Sequence, residues 1–415
     1  MAHAYIYFVY SYNSGKEVAP VTRFRIKRLK WDEATSTVIE DTNIVNQLIT
    51  GFDYYGRRLL AAKQDGISYL FVSIGDNGRS VLSSPDCYVP QSTNPNNFTQ
   101  DISTQNGKIH RFHMDGTIPA DNPVGGNSFY TRGHRNPQGL IYHPTLEIIY
   151  AVEHGDRTDD EINILQKGMN YGWKDVQGYH DGNYEDEMNF IDNYMPHPMI
   201  ANDALVAPIY SWCTVLDSSN VWTDWCSVAP SGGDYYGSAA ISEWTNSLLV
   251  VTLKNGATTD RELFQFQLSS NGTIVPSTIE EPNPKRFFGE DQGMNGRLRD
   301  LAISPCGQTL YLINNSGTDR DKITVYKHQS VGIQSPDTAS KIALTVHSNP
   351  VINVLKIKGF DQLTDHRNIQ IVTVGGQIIL LANEANIDVS ALKKGLYFVQ
   401  IIDANAVYSL RFVKE

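Results

Sequence analysis

The chain has 415 residues, 41% of them apolar and 19% charged, which can fill more than one core and is not the composition of a disordered protein. Length alone suggests two or three domains, or one large β architecture plus a small one. A net charge of −11 argues against a nucleic-acid groove or an anionic membrane surface as the main partner, while leaving room for a local basic pocket.

The N-terminal segment MAHAYIYFVYSYNSG reads as a strand from its first residues and shows neither a basic n-region nor a cleavage-site pattern. Opening inside a strand, the chain is expected to be an incomplete gene product or a fragment. No run of about 18 apolar residues is present to form a membrane-spanning helix. One pattern then recurs: a short apolar strand, a turn, a second strand and a Gly-bearing polar loop. It occurs at 58–78, 139–155, 238–256 and 300–317, and a third strand often follows, as in KIHRFHMDG, ELFQFQLSSNG and KITVYKHQ. Long amphipathic helices are absent. Such units predict an all-β protein, a β-propeller whose blades pool their loops at one mouth; the alternative, an array of β-sandwiches, would not converge them.

Residues 329–341, QSVGIQSPDTASK, are polar and lack periodicity, and read as a linker between a propeller over 1–328 and a small Ig-like β-sandwich over 342–415. Residues 341–415 carry 8 Lys/Arg against 6 Asp/Glu, leaving 26 against 39 in the rest, so the acidity belongs to the larger domain. The cysteines show no CxxC metal spacing. Cys213 and Cys226 bracket a polar, Trp-bearing loop; a disulfide, implying an oxidising compartment, and a pair of free buried thiols both remain open.

The densest polar signal is TRGHRNPQGL (131–140), with EHGDRTDDEINIL (153–165) and NYGW (170–173) after it. His134, Arg135 and Asn136 precede a strand in a Gly/Pro-rich turn. Asp159, Asp160 and Glu161 are three successive carboxylates after a bend. They suit either a solvated face or an oxygen-rich Ca²⁺ site, without the alternating ligands of an EF-hand. Arg297 and Arg299 stand at i, i+2 on a strand and project to one face. With Lys254 in TLKNG they would form an anion pocket for a polycarboxylate in an otherwise acidic protein.

The ordered series GRRLL, IGDNGR, GKIHRFHMDGTIPADNP, GHRNPQGL, DDEIN, KGMNYGW, VAPS, LKNG, RLRD and SPCG, spanning about 3–328, resembles the soluble quinoprotein glucose/sorbosone dehydrogenases. The resemblance implies a six-bladed propeller with pyrroloquinoline quinone (PQQ) and Ca²⁺ at its centre, here apparently lacking the first blade. Arg135, Asn136, Lys254, Arg297 and Arg299 would hold the PQQ carboxylates and carbonyl oxygens. Trp222 and Trp225 would cover the cofactor mouth, and Ser227 would offer a hydroxyl there. The carbonyls of Gly155 and Asp156 would ligate the catalytic Ca²⁺, Asp156 standing where the family typically has Pro. A second, structural Ca²⁺ would use the side chains of Glu161 and Asp181 and the carbonyl of Tyr171.

The implied reaction oxidises the C1 hydroxyl of an aldose to a lactone, with electrons leaving to an external acceptor. In this family a His after Asp acts as general base, whereas here Asp53 is followed by Tyr54. A tyrosine of ordinary pKa is ionised to about one part in a thousand at pH 7, so base catalysis worth roughly 10²–10⁴-fold is at stake. Arg57 and Arg58 could lower that pKa, and Asp76 matches the acid supporting the base. A propeller that binds carbohydrate or a protein partner without turnover is the alternative.

The last segment, with SNP at its first strand, VGGQ, L-x-x-G-x-Y as Leu392–Tyr397 and the closing FVKE, resembles the sorting domain recognised by type IX secretion in Bacteroidetes. It implies recognition by outer-membrane secretion machinery and a secreted or cell-surface protein.

Overall fold

The computed structural model describes residues 4–13, 22–49, 56–76, 97–214, 226–253, 262–288, 297–315, 322–328, 344–347, 349–363, 368–373, 378–403 and 406–415. The chain divides into two compact units, Met1–Lys327 and His328–Glu415. The expected linker, 329–341, lies outside the described residues.

The first unit is a succession of antiparallel sheets whose strands pair in chain order. Sheet I holds β1 (Ala4–Asn13), β2 (Thr22–Asp32) and β3 (Thr37–Ile49). Sheet II holds β4 (Leu59–Gln64), β5 (Ile67–Ile74), β6 (Lys108–His113) and β7 (Phe129–Arg132). Sheet III holds β8 (Pro137–His143), β9 (Ile148–Glu153), β10 (Asp160–Ile164) and β11 (Tyr210–Trp212). Sheet IV holds β12 (Pro230–Tyr236), β13 (Ser247–Thr252), β14 (Leu263–Gln267) and β15 (Lys285–Phe287). Sheet V holds β16 (Arg297–Ile303), β17 (Thr309–Asn315) and β18 (Ile323–Lys327). A six-residue helix, α1 (Glu187–Asp192), interrupts the passage from β10 to β11.

Neighbouring sheets touch through their first strands, β8 against β12 and β12 against β16, as radial blades do. Between them lie apolar layers: Phe24, Ile26 and Leu48 against Leu70 and Val72, and Ile141, Tyr150 and Val152 against Val250 and Phe266. Central β5 and β13 are buried along nearly their whole length, so their continuous apolar runs (YLFVSI, LLVV) reflect packing on both faces. The outermost sheets differ. Ile6 and Phe8 in sheet I, and Tyr311, Ile313, Ile323 and Val325 in sheet V, are exposed.

One sequence expectation fails at residue level. Residues 238–246 form no strand: they make a turn containing a short 3₁₀ segment, Ser242–Trp244, with Thr245 Oγ1 donating to the Ser238 carbonyl at 2.8 Å. The first strand of that sheet is instead PSGGDYY, whose paired glycines hide it from a hydrophobic pattern. Gly233 is required there, because a Cβ would meet Leu249 O at 2.5 Å and Ile141 Cδ1 at 2.6 Å.

The second unit has two antiparallel sheets. One pairs β19 (Thr345–His347), β20 (Val354–Lys358) and β23 (Asn386–Asp388). The other runs β22 (Ile378–Ala382), β21 (Asn368–Thr373), β24 (Gly395–Asp403), β25 (Ala406–Lys414). Leu355, Ile357, Ile371, Val399, Ile401 and Phe412 build its core.

Candidate functional site

The chain enters β8 through Gly133-His134-Arg135-Asn136. Gly133 has φ +78°, and a Cβ there would press on Asn170 Oδ1 at 2.3 Å. His134 is fully buried: Nε2 lies 2.8 Å from Thr131 Oγ1, Nδ1 lies 2.9 Å from Glu153 Oε1, and the ring stacks on Tyr171. The same Glu153 accepts from the Arg135 N–H at 3.0 Å and from Asn163 Nδ2 at 2.9 Å. His134 and Glu153 therefore shape the turn, and Arg135 and Asn136 are what it presents.

The Arg135 guanidinium meets Asp156 Oδ1 at 3.1 Å and the His154 carbonyl at 3.3 Å, and lies 5.5 Å from the Trp173 ring centroid. Asn136 Nδ2 is 3.2 Å from His154 Nδ1, while its Oδ1 accepts from the Gly56 N–H at 3.3 Å and from Gln138 Nε2 at 2.8 Å. Across the site, Arg299 Nε donates to Asn315 Oδ1 at 2.7 Å. Burial, then the charges of Arg135, Arg299 and Arg297, push the His154 imidazole down to about 3. Burial and then Arg297 also lower Arg299. Three guanidiniums from two sheets thus act on one neutral ring, a local excess of positive charge in an acidic protein. Of the residues expected to hold an anion, Arg135, Arg297 and Arg299 lie around His154; Lys254, Trp222, Trp225 and Tyr54 lie outside the described residues.

The loop after β9 runs close to the chain that follows it. A Cβ on Gly155 would meet the Thr158 carbonyl at 1.8 Å. Its N–H donates to Asp160 Oδ1 at 3.0 Å, and that of Asp156 donates to Gln177 Oε1 at 2.7 Å. Asp160, fully buried, also accepts from Ser227 Oγ at 2.9 Å and from the N–H groups of Val228 (2.6 Å) and Ala229 (2.8 Å). Ser227 is therefore bound to Asp160, and its hydroxyl pins the 227–229 segment to the Gly155 loop. Cys213 and Cys226 form a disulfide, with Cα atoms 5.8 Å apart, and so close the segment between them; Cys306 is free and exposed.

The acidic run does not act as one site. Alternation along β10 sends Asp160 and Glu161 to opposite faces. Asp159 accepts from Thr158, Ser211 and Asn183. Glu161 accepts from the Gly178 N–H at 2.7 Å and from Asn163 at 2.8 Å, and burial followed by the Glu153 charge pushes it well above the usual carboxylate range. Asp181 is exposed and accepts from the Asn183 N–H, and Tyr171 is buried against His134. Among the described residues, no three His, Cys, Asp or Glu side chains gather as a metal centre.

Asp76 is buried beneath the hub, its N–H donating to the Arg135 carbonyl at 2.8 Å and its Oδ2 accepting from Trp173 Nε1 at 2.9 Å. Arg58 binds Asp300 and strand carbonyls, and Arg57 lies over the Phe24 ring. Sequence reasoning missed His154, Trp173, Gln138 and the Asp156 side chain. His154 adjoins the expected carbonyl ligands in EHGD, but nothing local shows that three cations would surround it.

The Glucose / Sorbosone dehydrogenase family model matches residues 1–323, and the Secretion system C-terminal sorting domain matches residues 345–415. The chain is 30% identical over 336 residues to quinoprotein glucose dehydrogenase B of Acinetobacter calcoaceticus, covering 72% of this chain and 66% of that one. It is 27% identical over 287 residues to an aldose sugar dehydrogenase of Escherichia coli, covering 67% and 62%. It thus spans a little under two thirds of the length of these relatives. Its fold is similar to a glucose dehydrogenase crystal structure (TM-score 0.55, 22% identity, 79% of each chain). It is also similar to the apo-form of the soluble aldose sugar dehydrogenase of Escherichia coli (TM-score 0.54, 23% identity, 77% of each chain). The sorting domain marks a secreted or cell-surface protein. The chain belongs to the glucose/sorbosone dehydrogenase family and carries a C-terminal secretion sorting domain.

Proposed function

We propose that this chain binds PQQ and Ca²⁺ at the His154 hub and oxidises the C1 hydroxyl of an aldose sugar to a lactone. The observation that carries the reading is the gathering of cations and an amide around the partly buried His154, whose carbonyl accepts from Arg135, whose Nδ1 meets Asn136 Nδ2 and whose ring feels the charges of Arg299 and Arg297. The donor set fits both groups. Guanidiniums and the Asn136 amide suit carboxylates and carbonyl oxygens, and the Gly155 and Asp156 carbonyls beside a carboxylate suit a hard cation. When bound, PQQ supplies a two-electron acceptor and Ca²⁺ a Lewis acid. Arg135, Arg297, Arg299 and Lys254 would anchor the tricarboxylate, and Asn136, held by Gln138 and Gly56, would donate to or accept from it. Trp222 and Trp225 would exclude water from the cofactor. Tyr54 takes the proton of the C1 hydroxyl, and the electrons leave to an external acceptor. Glu161, Asp181 and the Tyr171 carbonyl are the further candidates for a structural Ca²⁺. The five sheets, exposed on the outer faces of the first and last, support reading the unit as part of a six-bladed ring. The last unit directs export through type IX machinery in the outer membrane.

Aldose-dependent reduction of an artificial dye by the chain loaded with PQQ and Ca²⁺ tests the activity. Turnover that rises in Tyr54→His, by up to about 10²–10⁴-fold, identifies position 54 as the base. Cofactor uptake without turnover in either form would favour the second reading, a carbohydrate- or partner-binding propeller, which the tyrosine at 54 recommends.

A further inference from the structure

The three inner strands nearest the hub share one irregularity. Pairing jumps from Pro137 to Gly139 in β8, from Pro230 to Gly232 in β12 and from Leu298 to Asp300 in β16. The residues skipped are Gln138, Ser231 and Arg299. A bulge takes one residue's backbone groups out of the ladder, and a carbonyl so released needs another donor. Those three carbonyls share one: Arg58 Nε donates to Gln138 O at 3.0 Å, and Nη2 donates to Ser231 O at 3.0 Å and to Arg299 O at 3.4 Å. The remaining nitrogen, Nη1, pairs with the Asp300 carboxylate.

Arg58 is itself fixed to sheet II. Its N–H donates to Ser73 Oγ at 2.9 Å, its carbonyl accepts from the Ser73 N–H at 3.0 Å, and Ser73 Oγ donates to the Pro137 carbonyl at 2.8 Å. Gly232 leaves room for the guanidinium, since a Cβ would come within 2.8 Å of Arg58 Nη2 and 2.6 Å of Asp300 Oδ1. The same residues line a cavity of about 390 Å³ together with Gly56 and Val9. A planar fork of five N–H donors can reach acceptors on separate strands, which an ammonium point charge cannot do as well.

We infer that Arg58 is a positioning residue that ties the bulges of β8, β12 and β16 to sheet II and thereby aims Arg299, and the Asn136–Gln138 pair, at the anion site. The tying of the strands stands independently; its consequence for an anion rests on the proposed function.

The full chain carrying Arg58→Met, Arg58→Lys or Asp300→Asn is compared with the parent by hydrogen exchange and by PQQ titration with Ca²⁺ present. In Arg58→Met, peptides 137–143, 230–236 and 297–303 are expected to exchange at least about tenfold faster together, with β14 unchanged. Arg58→Lys and Asp300→Asn should give smaller losses on the same three peptides, and they carry the test if Arg58→Met does not fold. PQQ affinity should fall at least about tenfold in Arg58→Met. The loss should be non-additive with that of Arg299→Gln, because both remove one alignment. Unchanged exchange, or faster exchange spread over all sheets, would overturn the tying of the strands; additive losses would overturn the aiming of Arg299. A parent chain that takes up no PQQ would refute the proposed function while the exchange pattern still decides the role of Arg58.

Discussion

The two units solve the problem of stability in opposite ways. The core of the C-terminal unit is aliphatic and aromatic, and Lys414 is the one charged side chain buried in it among the described residues. The sheets of the first unit bury Lys108, Arg132, Arg135, Glu153, Asp160, Glu161 and Asp203 besides their apolar layers. Burying charge is unfavourable unless every lone pair and proton finds a partner. The first unit offsets that cost in large part with local networks, such as Arg132 against Asp203 and Lys108 Nζ donating to the Thr99 carbonyl at 2.9 Å, although Arg132 Nε and Asp203 Oδ1 are buried without a hydrogen-bond partner. A module that only needs to be recognised can be held by packing alone. A module built to hold charged ligands, as proposed for the first unit, would accumulate buried polar groups around them.

Four substitutions probe this contrast. Phe412→Ala should lower the stability of the C-terminal unit by about 3–5 kcal/mol, read by urea denaturation, and leave PQQ uptake unchanged. A change in uptake would show that the two solutions are not separate. Asp160→Ala leaves the N–H groups of Gly155, Val228 and Ala229 without their acceptor, so a loss of about 3 kcal/mol is expected in the first unit, with weaker Ca²⁺ binding. Stability within 0.5 kcal/mol of the parent, on the order of an ordinary surface change, would mean that this network is dispensable.

Asp156→Asn removes the anionic partner of Arg135, and with it the competition for that guanidinium. PQQ affinity without Ca²⁺ should rise by about tenfold, whereas the Ca²⁺-dependent gain should shrink; equal affinities would separate Asp156 from the anion site. The last effect concerns acid and is spread over a range of pH. Burial pushes His110 down to about 4, its ring between Ser128 and the Gln105 carbonyl. The folded form therefore binds the proton less readily than the unfolded chain, and stability is lost as pH falls from about 6.5 to 4. His110→Asn should flatten that slope by up to about 1.4 kcal/mol per pH unit; an unchanged slope would assign acid sensitivity elsewhere.

The strand pairs at 58–78, 139–155 and 300–317 were readable because their apolar runs alternate with turn residues, and they appear as β4–β5, β8–β9 and β16–β17. PSGGDYY was not readable, since its glycines serve close packing and contribute no pattern. The grouping of Arg297 with Arg299 was legible because their spacing along a strand suggests a shared face, whereas Arg135 came from the family resemblance and not from a pattern of its own. The separate roles of Asp159, Asp160 and Glu161 were not readable, because Asp160 and Glu161 alternate across β10 and each of the three carboxylates finds its own partners. The three bulges and the reach of Arg58 left no trace, because backbone carbonyls as acceptors are independent of side-chain identity.

The central claim is that cations from separate sheets act together on one anionic cofactor. Equilibrium titration of the chain with PQQ in the presence of Ca²⁺, repeated on Arg135→Ala, Arg297→Ala and Arg299→Ala, tests it most directly. The account predicts one PQQ per chain and a loss of at least about tenfold in affinity for each variant. Uptake unaffected by all three substitutions, or no saturable uptake by the parent chain, would contradict it.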